Sequence, residues 1–304
     1  MKNKRFIPYT AILIGVISLS LSAIFVRLIE EAPAAISATY RLLLASLVLA
    51  PYVLIKKREE LKKLQKREVM LAIFSGICLA IHFALWFESL SYTSVASSVV
   101  LVTLQPVFAF IGTYLFFKER FSSATVISMI ITIFGSFVIV IGDLQIADHS
   151  FYGDMLALAA ALFITIYFLV GQQIRAKTSV TTYTFIAYSF GALFLLIYSL
   201  SKGFSLVHYP TNDWIFFILL AIIPTIFGLN LLNWTLKWFS TSLISMAIVL
   251  EPIGASIFAY ILFKEVITWS QWLGGSIIIF GLFLFITSTK RERNMRLTVS
   301  KHNK

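Results

Sequence analysis

The chain has 304 residues, 59% hydrophobic and only 13% charged, with a mean hydropathy of +0.89. A soluble domain carries about 25% charged residues, so this composition excludes an ordinary water-soluble enzyme, a disordered chain and a fibrous repeat. The lone cysteine, Cys78, excludes an intrachain disulfide or cysteine-based metal cluster, and the net charge of +11 raises nucleic acid as a partner unless the cations serve another end.

In chain order, ten stretches are apolar enough to cross a bilayer, near residues 9–29, 33–55, 69–90, 95–117, 124–142, 151–173, 181–201, 213–236, 241–263 and 268–288. A hydrocarbon core of about 30 Å needs roughly 20 such residues in a helix. Alternation at period two is absent, which argues against a membrane barrel. Lys2, Lys4 and Arg5 before the first run also suit a secretory signal. The run is about 20 residues long and lacks a clean small-x-small cleavage site before Arg27, so it reads as a retained first helix. The expected fold is an all-α polytopic membrane protein.

The basic residues then define a topology. With the N-terminus inside, the cytoplasmic segments hold 21 of the 25 Lys and Arg residues, in the N-terminus, the 56–67 loop, Lys118, Arg120, Arg175, Lys177, Lys237 and the tail from Lys290. Lys202 and Lys264 fall outside, while Arg27 and Arg41 lie within the first two helices. The positive-inside rule therefore places both termini in the cytoplasm of a multi-pass protein, expected in a bacterial plasma membrane. The charge reads as topology and contact with anionic lipid head groups, with no nucleic acid partner expected.

Residues 98–141 align without gaps on residues 244–287, an offset of 146. The matched pairs include Pro106 with Pro252, Phe117-Lys118-Glu119 with Phe263-Lys264-Glu265, and Phe134-Gly135 with Phe280-Gly281. Five helices per half is an odd number, so the halves are expected to be inverted repeats, over 9–142 and 151–288, followed by a basic cytoplasmic tail at 289–304. Inverted repeats commonly place a solute site near the midplane. The series Ile248-Val249-Leu250-Glu251-Pro252, the Phe-Lys-Glu endings, Pro33, Arg41 and Gly153-Asp154 resemble the EamA family of the drug/metabolite transporter superfamily. The resemblance spans about residues 9–288 and implies a ten-helix carrier with a central cavity, commonly exporting amino acids or other small metabolites. One departure stands out: Gln105 precedes Pro106 where Glu251 precedes Pro252.

An ionisable group at mid-bilayer is costly and normally faces a cavity or a partner. Glu251 lies near the centre of its span beside the helix-kinking Pro252, and reads as a substrate-amine or proton site, or as a structural partner of Arg41. Arg41 could hold a substrate carboxylate, pair with a Glu such as Glu30, Glu31 or Glu88, or snorkel outward. His82 and Trp86 share a helix face four residues apart, as a relay and an aromatic wall or as packing. Gln105, beside the kinking Pro106, is the symmetric mate of Glu251, and Asn230 marks the polar eighth helix. Ser18, Ser20, Ser22 and Gly274-Gly275 suit close helix packing. No nucleotide-binding loop, HExxH or CxxC motif occurs, so no cofactor or metal is expected and coupling to protons or membrane potential is expected over ATP. The expected function is secondary active transport of a small metabolite, amino acid or drug-like compound, as efflux by alternating access; a non-transporting scaffold or a lipid-handling membrane enzyme is the alternative.

Overall fold

The computed structural model describes residues 3–89, 92, 98, 101–141 and 151–302. The expected start of the fourth span at 95, the first repeat's end at 142, and Lys2 and Lys304 lie outside them. Among the described residues the regular elements are all helices, joined by short turns and loops, with no strand. In hydrocarbon a helix satisfies its own backbone polar groups, which is why apolar runs of this length take no other form.

The helices are α1 (Asn3–Arg27), α2 (Ala34–Lys56), the short α3 (Arg58–Lys63), α4 (Lys66–Ser89), α5 (Gln105–Phe117), α6 (Ser123–Ile141), α7 (Phe151–Arg175), α8 (Val180–Ser201), α9 (Thr211–Leu220), α10 (Leu231–Thr235), α11 (Thr241–Ile248), α12 (Glu251–Phe263) and α13 (Trp269–His302). A π-helical segment, Ala221–Asn230, joins α9 to α10 as one continuous run. Among the described residues eight helical runs are long and apolar enough to cross a membrane, and Gln105–Phe117 and Ser123–Ile139 are shorter apolar helices. The last helix does not stop at the apolar boundary near residue 288 but continues to His302. No Gly or Pro follows Gly281 to end it.

Packing joins the two halves of the sequence. Helix α2 lies along α8, α4 against α7 and α8, α1 against the 211–235 run and α12, α5 against α7 and α11, and α6 against α13. Without a hydrophobic drive inside a bilayer, such contacts depend on close approach. A Cβ at Gly76 would run into the Ala187 carbonyl, and one at Gly135 would meet the Gly274 carbonyl at 2.8 Å. The largest buried cluster includes Leu42, Leu79, Tyr167, Phe168, Tyr183, Leu195 and Leu232. Outward-facing side chains such as Leu47, Phe116, Phe134, Ile197 and Phe283 remain exposed, as lipid contact requires.

Candidate functional site

The site is built on two helix breaks. Residues 103–104 form a turn before α5, and residues 249–250 form a turn before α12. Pro106 and Pro252 each sit in the first turn of the helix that follows, where the missing N–H costs nothing. Their rings exclude a regular helix through Val102 and Ile248, four residues upstream. Tight turns close the gaps instead: Leu104 N–H donates to the Leu101 carbonyl at 3.2 Å, and Leu250 N–H to the Ala247 carbonyl at 3.1 Å. Gln105 and Glu251 thereby open their helices, and the carboxylate of Glu251 meets the positive end of the α12 dipole.

Both breaks face one interior space. A cavity of about 70 Å³ is lined by residues including Ser22, Arg41, His82, Trp86, Gln105 and Glu251. A second, of about 80 Å³, shares Trp86, Val102, Gln105, Ile248 and Glu251 with it. Five of the residues singled out above therefore converge, from α2, α4, α5 and α12.

Arg41 is 2% exposed, and its anchoring begins in the sequence of another helix. Pro224 has no N–H for the Leu220 carbonyl four residues before it, and the helix widens into the π segment. The Thr225 hydroxyl donates to that carbonyl at 2.8 Å. Its oxygen then accepts from Arg41 Nε at 2.8 Å, while Ser22 Oγ accepts from Nη1 at 2.8 Å. The guanidinium also lies 4.5 Å from the centre of the Phe83 ring. The expected carboxylate partners Glu30, Glu31 and Glu88 make none of these contacts. Asp213 occupies the backbone amides of that neighbourhood instead, accepting from Glu30, Glu31 and Ala32 at 3.0 to 3.2 Å.

His82 Nδ1 lies 2.9 Å from the Ala160 carbonyl. A carbonyl only accepts, so Nδ1 carries the proton and Nε2 is the acceptor in the neutral ring. The imidazole stacks on Trp86 at 6.2 Å and 12°, the shared face that their spacing predicts. Trp86 Nε1 and Gln105 Nε2 are buried donors without an acceptor. Each such group costs about 1–3 kcal/mol unless a ligand or water completes it. Among the described residues Glu251 forms none of the ion pairs, although Arg41 faces the same cavity. The site thus offers one fixed cation, one carboxylate and two open N–H donors in a mostly apolar wall.

Asn230 is not part of that lining: its Oδ1 accepts from Thr184 Oγ1 at 2.9 Å. Asn233 donates to the Tyr167 hydroxyl at 2.6 Å, in a buried polar contact between helices. Ser22 belongs to the Arg41 anchor and not to packing alone. Thr225, which anchors Arg41, is the position that sequence reading passed over, and its signal is a Pro-Thr pair inside an apolar helix. No group of three or more metal-ligating side chains forms among the described residues.

The EamA-like transporter family model matches residues 6–141 and again residues 151–287. The chain belongs to the EamA-like transporter family. It is similar to an "Uncharacterized transporter" of Archaeoglobus fulgidus, 23% identical over 214 residues, 70% of this chain and 74% of the relative. It is also similar to the "Uncharacterized transporter YetK" of Bacillus subtilis, 22% identical over 272 residues, 87% of this chain and 82% of that protein. A solved crystal structure superposes with a TM-score of 0.76 over 93% of this chain and 98% of its own, at 16% identity, which speaks to fold alone. This EamA-like protein is a multi-pass membrane transporter.

Proposed function

We propose that this EamA-like protein is a secondary active carrier of ten transmembrane helices, arranged as two inverted five-helix repeats over 9–142 and 151–288. One observation carries the reading: two helices broken at positions 146 residues apart bring Gln105 and Glu251 to a common cavity with Arg41. Discontinuous helices with their N-termini at a central site are a recurrent way to hold a polar solute in a bilayer. The packing of α1 on the 211–235 run and of α4 on α7 supports a twofold relation, because an offset of 146 exchanges those pairs.

The chemistry of the cavity favours a small solute with a cationic amine for Glu251 and an acceptor group for Arg41, Trp86 Nε1 and Gln105 Nε2. Proton coupling through Glu251, with His82 beside it, is part of the proposal. So is efflux across the plasma membrane with both termini cytoplasmic, the tail at 289–304 meeting anionic head groups. Reconstituted protein in liposomes tests it. Saturable flux of an amino acid or small amine, accelerated by the same solute on the far side, is expected. Flux that never saturates across a broad solute panel, or no flux at all, overturns the reading.

A further inference from the structure

Four basic side chains from three separate parts of the chain meet around a further cavity at one end of the bundle. Lys57 follows α2, Arg175 ends α7, Lys177 lies in the turn to α8, and Lys237 follows α10. With Glu60, Tyr52, Trp234 and Trp238 they line about 490 Å³, and no residue is shared with the central site.

One carboxylate already stands there. Glu60 Oε1 accepts from the Ser179 N–H at the start of α8 at 2.6 Å, and Oε2 lies 3.2 Å from Lys57 Nζ. Burial acts to raise its pKa, but the Ser179 bond and Lys57 outweigh burial and hold the carboxyl below its usual value. Glu60 thus answers Lys57 and the end of the α8 dipole, and leaves three cations in excess. Arg175 is fixed in the wall by donating to the backbone carbonyls of Asn233 and Thr178. Lys177 and Lys237 are exposed and form no ion pair among the described residues. Lys237 Nζ lies 5.8 Å from the centre of the Trp238 ring.

The aromatic residues distinguish a lipid anion from a soluble one. Tyr52 and Trp238 are 50% and 48% exposed at the ends of apolar helices, where such rings mark the border between hydrocarbon and head groups. Val48, Tyr52 and Ile55 form an exposed apolar stripe along α2 that leads to the cavity. We propose that this cavity binds the phosphate head group of an anionic phospholipid, with an acyl chain laid along that stripe. Lys177 and Lys237 hold the phosphate against Arg175, and the tryptophans cover the glycerol. Basic pockets between transmembrane helices are a known physical means of such recognition. The site goes beyond the carrier function proposed above and stands independently of it.

Thermal unfolding of delipidated protein in a neutral detergent tests the site. Dioleoylphosphatidylglycerol is expected to raise the unfolding midpoint, whereas dioleoylphosphatidylcholine and the deacylated head group, glycerophosphoglycerol, leave it unchanged. The double variant Lys177→Gln/Lys237→Gln should bind the anionic lipid about thirtyfold more weakly. The double variant Lys177→Arg/Lys237→Arg should retain binding, as should Lys202→Gln at the far end of α8. Equal stabilisation by the zwitterionic lipid, or undiminished binding by the glutamine variant, overturns the proposal. Equal stabilisation by glycerophosphoglycerol also overturns it, by showing a soluble-anion site. No solute flux enters the assay, so failure here is distinct from failure of the transport reading.

Discussion

Arg41 and Glu251 line the same cavity without forming an ion pair with each other. The arginine is held by two hydroxyls, Ser22 and Thr225, so neither charge depends on the other for its position. This leaves the carboxylate available to a solute or proton, the role that a membrane-buried acid most often has. Glu251→Gln keeps the shape and is expected to lower flux about tenfold and to flatten its pH profile. Unchanged rate and pH dependence in proteoliposomes would remove Glu251 from the mechanism. Thr225→Val deletes the hydroxyl that serves both the Leu220 carbonyl and Arg41 Nε. A loss of about 2 kcal/mol is expected, because a buried carbonyl and a buried charge each lose a partner. Thermal unfolding in detergent reads this loss, and Thr225→Ser should restore both stability and solute binding.

At the scale of helices, the repeated Phe-Lys-Glu endings have a common backbone cause. Lys118 and Lys264 close α5 and α12 in the left-handed region, at φ 57° and 59°. Lys118 N–H donates to the Tyr114 carbonyl and Glu119 N–H to the Thr113 carbonyl, which ends the helix within a single residue. Glycine is the usual occupant of such a position, since a side chain there costs about 1–2 kcal/mol. Lys118 is exposed, and Lys118→Gly is expected to raise stability by about 1 kcal/mol, read as a higher unfolding midpoint. The Glu119 carboxylate accepts from Ser240 and Ser242 at 3.0 and 3.1 Å, tying the end of α5 to the start of α11. The other ending pairs differently, with Glu265 bonded to Arg27 at an exposed position.

Across the whole molecule, the two matched half-helices are not equally covered. Helix α5 buries Gln105, Pro106, Ala109, Phe110, Gly112 and Thr113, whereas α12 buries no residue fully. Under the proposed alternating access between inverted halves, this difference in burial corresponds to a carrier closed on the α5 side and open on the α12 side. Under the proposed topology the open side is extracellular. With Cys78 replaced, Ala255→Cys in α12 is therefore expected to react with a membrane-impermeant thiol reagent added outside. Ala109→Cys, 0% exposed in α5, should stay protected from both sides. Rapid labelling of Ala109→Cys with none at Ala255→Cys would reverse the assignment.

Hydropathy is a property of consecutive residues, so the sequence by itself determined the membrane class, the all-helical fold and the family. It also marked Arg41, His82, Trp86, Gln105 and Glu251, because a polar group in hydrocarbon is conspicuous wherever it occurs. It could not tell which of these face each other, since that depends on how each helix is rotated and how closely its neighbours approach. Asn230 and Gln105 look alike in sequence, yet only Gln105 reaches the cavity while Asn230 is taken up by Thr184. The partners of Arg41 were hidden for the same reason: carboxylates near its end of the bundle were the obvious candidates, and a π-helical turn around Pro224 supplied the Thr225 hydroxyl instead, with Ser22 of α1 beside it. The cation excess was likewise visible as charge on one set of loops. Only the tertiary structure gathered Lys57, Arg175, Lys177 and Lys237 around a single aromatic-lined space, because helices adjacent in three dimensions end there from three separate parts of the chain.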